Sequence, residues 1–229
     1  MSLLPAPARE SDRSPQHWRG GRAGPCAIPA ISPGGGVILG RMPDVPVLVA
    51  PDPALATARI ELRPFRPDDA HAVAEACQDS EIPRFTFMPA DMTAEQARDW
   101  IDEGLMRWPQ GVARFAITLV GNDHPVGEVG VAFEWANRRA EAFYWIERRS
   151  RRLGLASEAL KLATRWAFDQ PDILRVHLLT HTDNVASHRV AERCGFTREG
   201  VLRSWEPVKD AQPDVVMWSR LAADTDREA

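Results

Sequence analysis

The chain has 229 residues, 44% hydrophobic and 26% charged, with a formal net charge of −4. That length suits one domain of about 150–200 residues with something added, large enough to bury a core without staples. The slightly acidic balance argues against a dedicated nucleic-acid binder, and the sparse set Cys26, Cys77 and Cys194 argues against a disulfide framework or structural zinc. There is no run of about 18 apolar residues to span a membrane, and no signal-peptide pattern, so a cytoplasmic protein is expected.

Residues 1–57 are rich in proline and glycine, Ser32-Pro33-Gly34-Gly35-Gly36 above all, and read as a disordered extension of near-neutral charge. The pattern changes at Ala58. Arg59 to Phe65 alternates as a half-buried strand does. Pro67-Asp68-Asp69 opens a helix carrying Ala70, Val73, Ala74 and Cys77, with Asp as its N-cap. A second helix starts at the capping residue Thr93, shows Trp100, Ile101 and Leu105 on one face, and ends before Pro109-Gln110-Gly111.

Three strands follow as a meander: Val112 to Val120, Val126 to Trp135 after a turn at 121–125, and Ala140 to Glu147. Gly127 and Gly130 mark a bulge or a close backbone approach. A helix from about Gly154 to Phe168 buries Leu155, Ala159, Leu162, Ala163 and Trp166. Leu174 to Thr180 is a strand; Asp183-Asn184 caps a helix over Val185 to Cys194, closed by Gly195. Phe196–Leu202 and Val215–Leu221 are the last strands, giving the order β-α-α-β-β-β-α-β-α-β-β in a domain over 58–221, with a tail at 222–229.

The chemistry-bearing stretch runs from Tyr144-Trp145-Ile146-Glu147 through Arg149, Arg151, Arg152, Leu153, Gly154, Leu155, Ala156 and Ser157. A strand feeds a short loop of small and basic residues, and a helix opens. Unpaired amides at a helix start beside small side chains suit a phosphate. An ordinary strand-to-helix turn in an arginine-rich protein is the competing reading.

Arg151-x-x-Gly154-x-Ala156 resembles the acyl-CoA loop of the GNAT N-acetyltransferases. Asn184-x-x-Ser187, followed by Gly195-Phe196 and Glu199-Gly200, resembles the RimJ/RimL-type branch, as does the opening Arg59-Ile60-Glu61-Leu62-Arg63. The resemblance covers about residues 58–221. It implies an α/β (α+β) sandwich with a mostly antiparallel, splayed central sheet flanked by helices. It also implies acetyl-CoA as co-substrate, held by Trp145, Ile146, Glu147, the 151–157 loop, Asn184 and Ser187. An oxyanion-stabilising amide is expected near Trp145 or Ile146. Ser187 maps to the proposed thiolate proton donor of that branch. Arg152 departs from the family, which often has Gly there, and the lone Tyr144 precedes the loop, so the tyrosine acid of other members has no counterpart.

Acetyl transfer needs a neutral amine, a donor for the developing oxyanion and a stabilised thiolate. Glu134 and Glu141 are the candidate bases, with Glu128 and Glu147 behind them; each also fits a solvated surface acid. His177 and His181 read as strand histidines, Cys194 as a buried structural thiol, and no spacing suggests a metal. Trp135, Trp145, Trp205 and Trp218 fit an acceptor pocket or, more commonly, a core. The expected reaction is direct attack by a protein N-terminal α-amine or a small-molecule amine. Two alternatives stay open, a non-catalytic acyl-CoA-binding module and transfer of a longer acyl group. A homodimer also stays open.

Overall fold

A computed structural model describes residues 46–225. The expected disordered extension lies outside the described residues up to 45. Beyond that point the chain already packs: Leu48 is 4% exposed in the core, and β1 (Leu55–Ala56) pairs with β2 (Ile60–Pro64). The folded part therefore begins before the expected boundary at 58. At the other end Ala222–Thr225 forms a helical turn, where a tail was expected.

After β2 come α1 (Ala70–Cys77), α2 (Glu81–Phe85) and α3 (Ala94–Met106), then the meander β3 (Val112–Leu119), β4 (Asn122–Glu134) and β5 (Arg139–Ile146). The chain continues through α4 (Leu155–Phe168), β6 (Arg175–His181), α5 (Val185–Arg193), β7 (Thr197–Leu202) and β8 (Val215–Leu221). The expected order holds, with β1 and α2 added. Both are too short to show a period in sequence. The expected turn at 121–125 is also shorter, because β4 starts at Asn122.

Local chemistry accounts for the boundaries. Pro67–Asp69 form a 3₁₀ turn ahead of α1; Asp69 stands at the N-cap position of α1 as expected, but its carboxylate makes no capping bond to that helix and accepts the Arg66 amide at 2.7 Å. The Thr93 hydroxyl accepts the Gln96 amide at 3.2 Å and the Gln96 side chain accepts the Thr93 amide at 2.9 Å, a capping box. Gly127 and Gly130 mark close approaches: a Cβ at Gly127 would lie 2.4 Å from the Trp145 carbonyl oxygen, and one at Gly130 would lie 2.2 Å from the Phe143 ring.

The strands form one sheet in the order β1-β2-β3-β4-β5-β6-β8-β7. Every neighbouring pair is antiparallel except β5–β6. One core lies under α4, where Trp166 meets Trp108, Phe115 and Phe133. The other lies under α1 and α3, around Phe65, Ile82, Trp100, Ile101 and Trp145. Side chains alternate across β5, so it serves both layers.

Candidate active site

The site begins with a defect in the sheet. Strands β5 and β6 run parallel and pair only at Arg139↔Arg175, Ala140↔Val176 and Glu141↔His177. Beyond Glu141 they diverge, and the C-terminal half of β5 has only β4 beside it. The Glu147 amide donates to the Val126 carbonyl at 2.9 Å, in register with Gly127↔Ile146 and Glu128↔Trp145. Antiparallel ladders alternate, so the Trp145 amide faces β4 and the Tyr144 and Ile146 amides face the open slot. Of the two residues expected to supply an oxyanion donor, Ile146 fits and Trp145 does not. An extended ligand arm laid in the slot would meet these amides as a strand does.

At the end of β5 the chain makes a 3₁₀ turn over Arg148–Ser150, tightened by the Ser150 hydroxyl donating to Glu147 at 2.6 Å. Arg152 then sits at φ +65° and Gly154 at φ +83°, where α4 begins. No side chain caps α4, and a Cβ at Gly154 would meet no atom within 4 Å. The first-turn amides of Leu155, Ala156 and Ser157 stand at the positive end of a helix that no side chain caps, a cradle suited to an anion. Leu155 itself is buried. Arg152 fills a left-handed position, which explains why a glycine is common there.

The loop's basic side chains do not all face the cradle. Arg151 donates to the Ile146 carbonyl at 3.0 Å and ion-pairs with Asp79, while Arg149 pairs with Glu75 at 3.2 Å. Arg151 is thus an internal brace of the loop. On the opposite side Arg59 donates to the Leu153 carbonyl at 2.8 Å and pairs with Glu158 at 3.4 Å, and Thr57 also holds Glu158. Sequence reading missed this scaffold because its members lie far from the loop along the chain.

Glu141 occupies the vertex of the split, on the face toward α1 and α3. Its side chain is 40% exposed and its Oε2 stands 3.8 Å from His177 Nε2. Burial, then the charges of Glu206 and Glu134, push its carboxyl up to about 7. His177 is 5% exposed; burial and then the Arg139 and Arg175 charges push it down to about 4, so it is neutral. Glu134 sits in a different environment. Burial pushes its carboxyl up, but hydrogen bonds from Arg139 at 2.8 Å and Asn137 at 2.9 Å outweigh this and hold it below the usual range. It is a hairpin ion pair, and a poor base. Glu128 is 1% exposed, bound to Arg114 at 2.5 Å and to the Trp145 indole at 2.7 Å, with Arg114 stacked 3.8 Å over Trp100. Glu147 accepts Ser150.

On the other face, the Asn184 side chain caps α5 by accepting the Ser187 amide at 3.1 Å. The Tyr144 hydroxyl reaches the Ser187 carbonyl at 3.5 Å, so the one tyrosine meets α5 in space although it precedes the loop in sequence. Burial pushes that phenol well above its ordinary range, so it stays protonated. Cys194 is buried, its thiol pushed up to about 11 by burial, and it donates to the Ser157 carbonyl at 3.3 Å. Trp145 and Trp218 are core residues, Trp135 stacks on Phe133, and Trp205 is exposed. Among the described residues no His, Cys, Asp or Glu group is arranged for a metal, and no helix is long and apolar enough to cross a membrane.

The split sheet, the uncapped helix start at its lip and the carboxylate at its vertex form one connected site, and the family match assigns it to an acyltransferase. The GNAT acetyltransferase domain profile matches residues 59–197, and the chain belongs to that family of acetyl-CoA-dependent N-acetyltransferases. It is 29% identical over 169 residues to an uncharacterized N-acetyltransferase, p20, of Bacillus licheniformis, covering 73% of this chain and 95% of that one. Another uncharacterized N-acetyltransferase, YoaA of Bacillus subtilis, is 31% identical over 156 residues, covering 67% and 88%. The ribosomal-protein-serine acetyltransferase of Escherichia coli is 27% identical over 128 residues, covering 56% and 71%. Among solved structures, RimL, a ribosomal α-N-protein acetyltransferase in complex with coenzyme A, superposes with a TM-score of 0.65 at 23% identity, covering 73% and 96%. The match confirms the expected splayed sandwich.

Proposed function

We propose that this chain acetylates the α-amine of a protein or peptide N-terminus, with Glu141 as the base and the Gly154 cradle holding the acetyl-CoA diphosphate. Acetyl-CoA supplies an activated carbonyl. The protein binds its diphosphate on the amides of 155–157 and lays its arm along the Tyr144 and Ile146 amides. Glu141 takes a proton from the incoming ammonium, directly or through one water. The neutral nitrogen attacks, the N–C bond forms, the C–S bond breaks, and the excess proton left on the nitrogen passes to the departing thiolate or to water, giving the amide and free CoA. The Ile146 amide supports the oxyanion. Ser187, on the first turn of α5, donates a hydrogen bond to the thiolate. Its hydroxyl is a weaker acid than a thiol, so it stabilises the thiolate without a full proton transfer, in contrast to the proton-donor role expected from the resemblance.

The position of Glu141 carries this reading: a half-buried carboxylate at the split's vertex with a pKa of about 7. That value is close to an α-amine, at about 8, and far from lysine, at about 10.4. The named activity of the ribosomal-protein-serine relative agrees with a protein acceptor, and with cytoplasmic residence. The test is thiol release from acetyl-CoA with three acceptors: a peptide with a free N-terminal serine, an N-blocked lysine peptide, and spermidine. Selective turnover of the first, with acetate located on its terminal nitrogen by mass spectrometry, supports the proposal. Preference for either of the others overturns the acceptor assignment.

A further inference from the structure

Strands β5 and β6 are parallel, so their free, splayed halves end on the same side, at Ile146 and His181. One short segment touches both ends. Asp79, just after α1, ion-pairs with Arg151, the side chain that also holds the Ile146 carbonyl. Five residues on, Arg84 of α2 donates to Asp183 at 2.6 Å, one residue before the cap of α5. Phe85 meets the His181 ring edge-on at 5.5 Å. Between these ties Ile82 is buried in the α1–α3 core, and the Pro83 carbonyl accepts the Lys209 ammonium from the connection between β7 and β8. Segment 79–85 thus runs from one lip of the split to the other and is pinned from the outside by a third element.

We infer that Asp79 and Arg84 are positioning residues that bridge the split and make it a passage with two mouths. This rests on the assignment of the slot to acetyl-CoA. The cradle at 151–157 lies at one mouth, where the coenzyme arm threads in. Glu141 lies at the other, on the α1–α3 face, where the amine meets the thioester. The bridge keeps the two lips at a fixed separation around the arm and limits access of water to the thioester. It also couples the lips mechanically: loss of either ion pair lets β6 and α5 move away from the cradle.

The test is a charge exchange at the Arg84–Asp183 tie, read without any amine. Acetyl-CoA dissociation is followed by stopped-flow displacement with excess CoA, and acceptor-free thiol release is followed in parallel. Both partners are exposed, so one tie is worth about a two- to five-fold change in rate. Arg84→Glu and Asp183→Arg should each accelerate dissociation and acceptor-free release by that factor, and the double exchange should restore most of both. Thermal unfolding of the same variants distinguishes a positioning role from a general one, because melting should be nearly unchanged. Wild-type rates in both single variants, or no recovery in the exchange, overturn the bridge. Failure of the wild-type protein to bind acetyl-CoA would instead overturn the assignment of the slot.

Discussion

Replacing Glu141 by Gln should make the protein more stable at alkaline pH and almost inactive. An unfolded glutamate ionises near 4.5 and the native Glu141 near about 7. Between those values the native state keeps a proton that the unfolded state has released. Stability therefore falls as pH rises across that window, and the loss is complete above it. Fully buried, a shift of about two and a half pK units would cost about 3.4 kcal/mol at 1.36 kcal/mol per unit. The side chain is 40% exposed, and solvent screening reduces this to about 1–2 kcal/mol. Gln carries no charge, so Glu141→Gln should match wild type near pH 4.5 and exceed it by about 1–2 kcal/mol at pH 8 in urea unfolding. As a base, Glu141 must be ionised: wild-type kcat/KM should rise through about pH 7, and the variant should lose about 10²–10³-fold at pH 8. Equal urea midpoints for the two proteins at pH 8, or an active variant, would refute the reasoning.

The cradle can be tested by charge. Gly154→Glu should abolish acetyl-CoA binding in calorimetry, while Gly154→Ala, which adds only strain at φ +83° in open space, should still bind. Arg152→Gly should relieve about 1–2 kcal/mol of left-handed strain and give back about 0.4–1 kcal/mol in unfolded-chain entropy, a net gain of about 0.5–1 kcal/mol in chemical denaturation. Ser187→Ala should lower kcat by about 10²-fold with the KM for acetyl-CoA unchanged; an unaltered kcat would reduce Ser187 to a helix-start residue. Glu128→Ala leaves the Arg114 charge and the Trp145 indole without their partner and should cost about 3–5 kcal/mol in unfolding free energy.

Elements long enough to show a period were legible in the sequence. Helix α3 carries its apolar face and its cap openly, α4 and the meander carry their apolar faces, and the Gly154 loop stands visibly between a strand and a helix. What escaped was decided across the sheet. Two carboxylates looked equivalent, Glu134 and Glu141, yet one is held by Arg139 in its own hairpin and the other faces Glu206 from a connection 65 residues later. Arg151 looked like a phosphate ligand until Asp79 and the Ile146 carbonyl claimed it. Short elements such as α2 have no pattern to read; their role lies in the partners they touch.

The split itself follows from how β5 divides its groups. Its odd-numbered side chains, Glu141, Phe143 and Trp145, face α1 and α3, and its even-numbered ones, Ala142, Tyr144 and Ile146, face α4 and α5. Both sets are anchored: Trp145 by Glu128, Tyr144 by α5, Ile146 by the core under α4. A strand fixed on two faces and along its β4 edge can leave part of its fourth side without a neighbouring strand and not collapse, the Ile146 carbonyl there being held by Arg151. Unpaired main-chain groups inside a protein are costly, and a ligand that pairs with them recovers that cost on binding. The slot therefore favours an extended, amide-bearing arm over a compact ligand. Glu141 sits where the pairing stops, so in the proposed reaction the limit of the ladder would set where the thioester halts relative to the carboxylate.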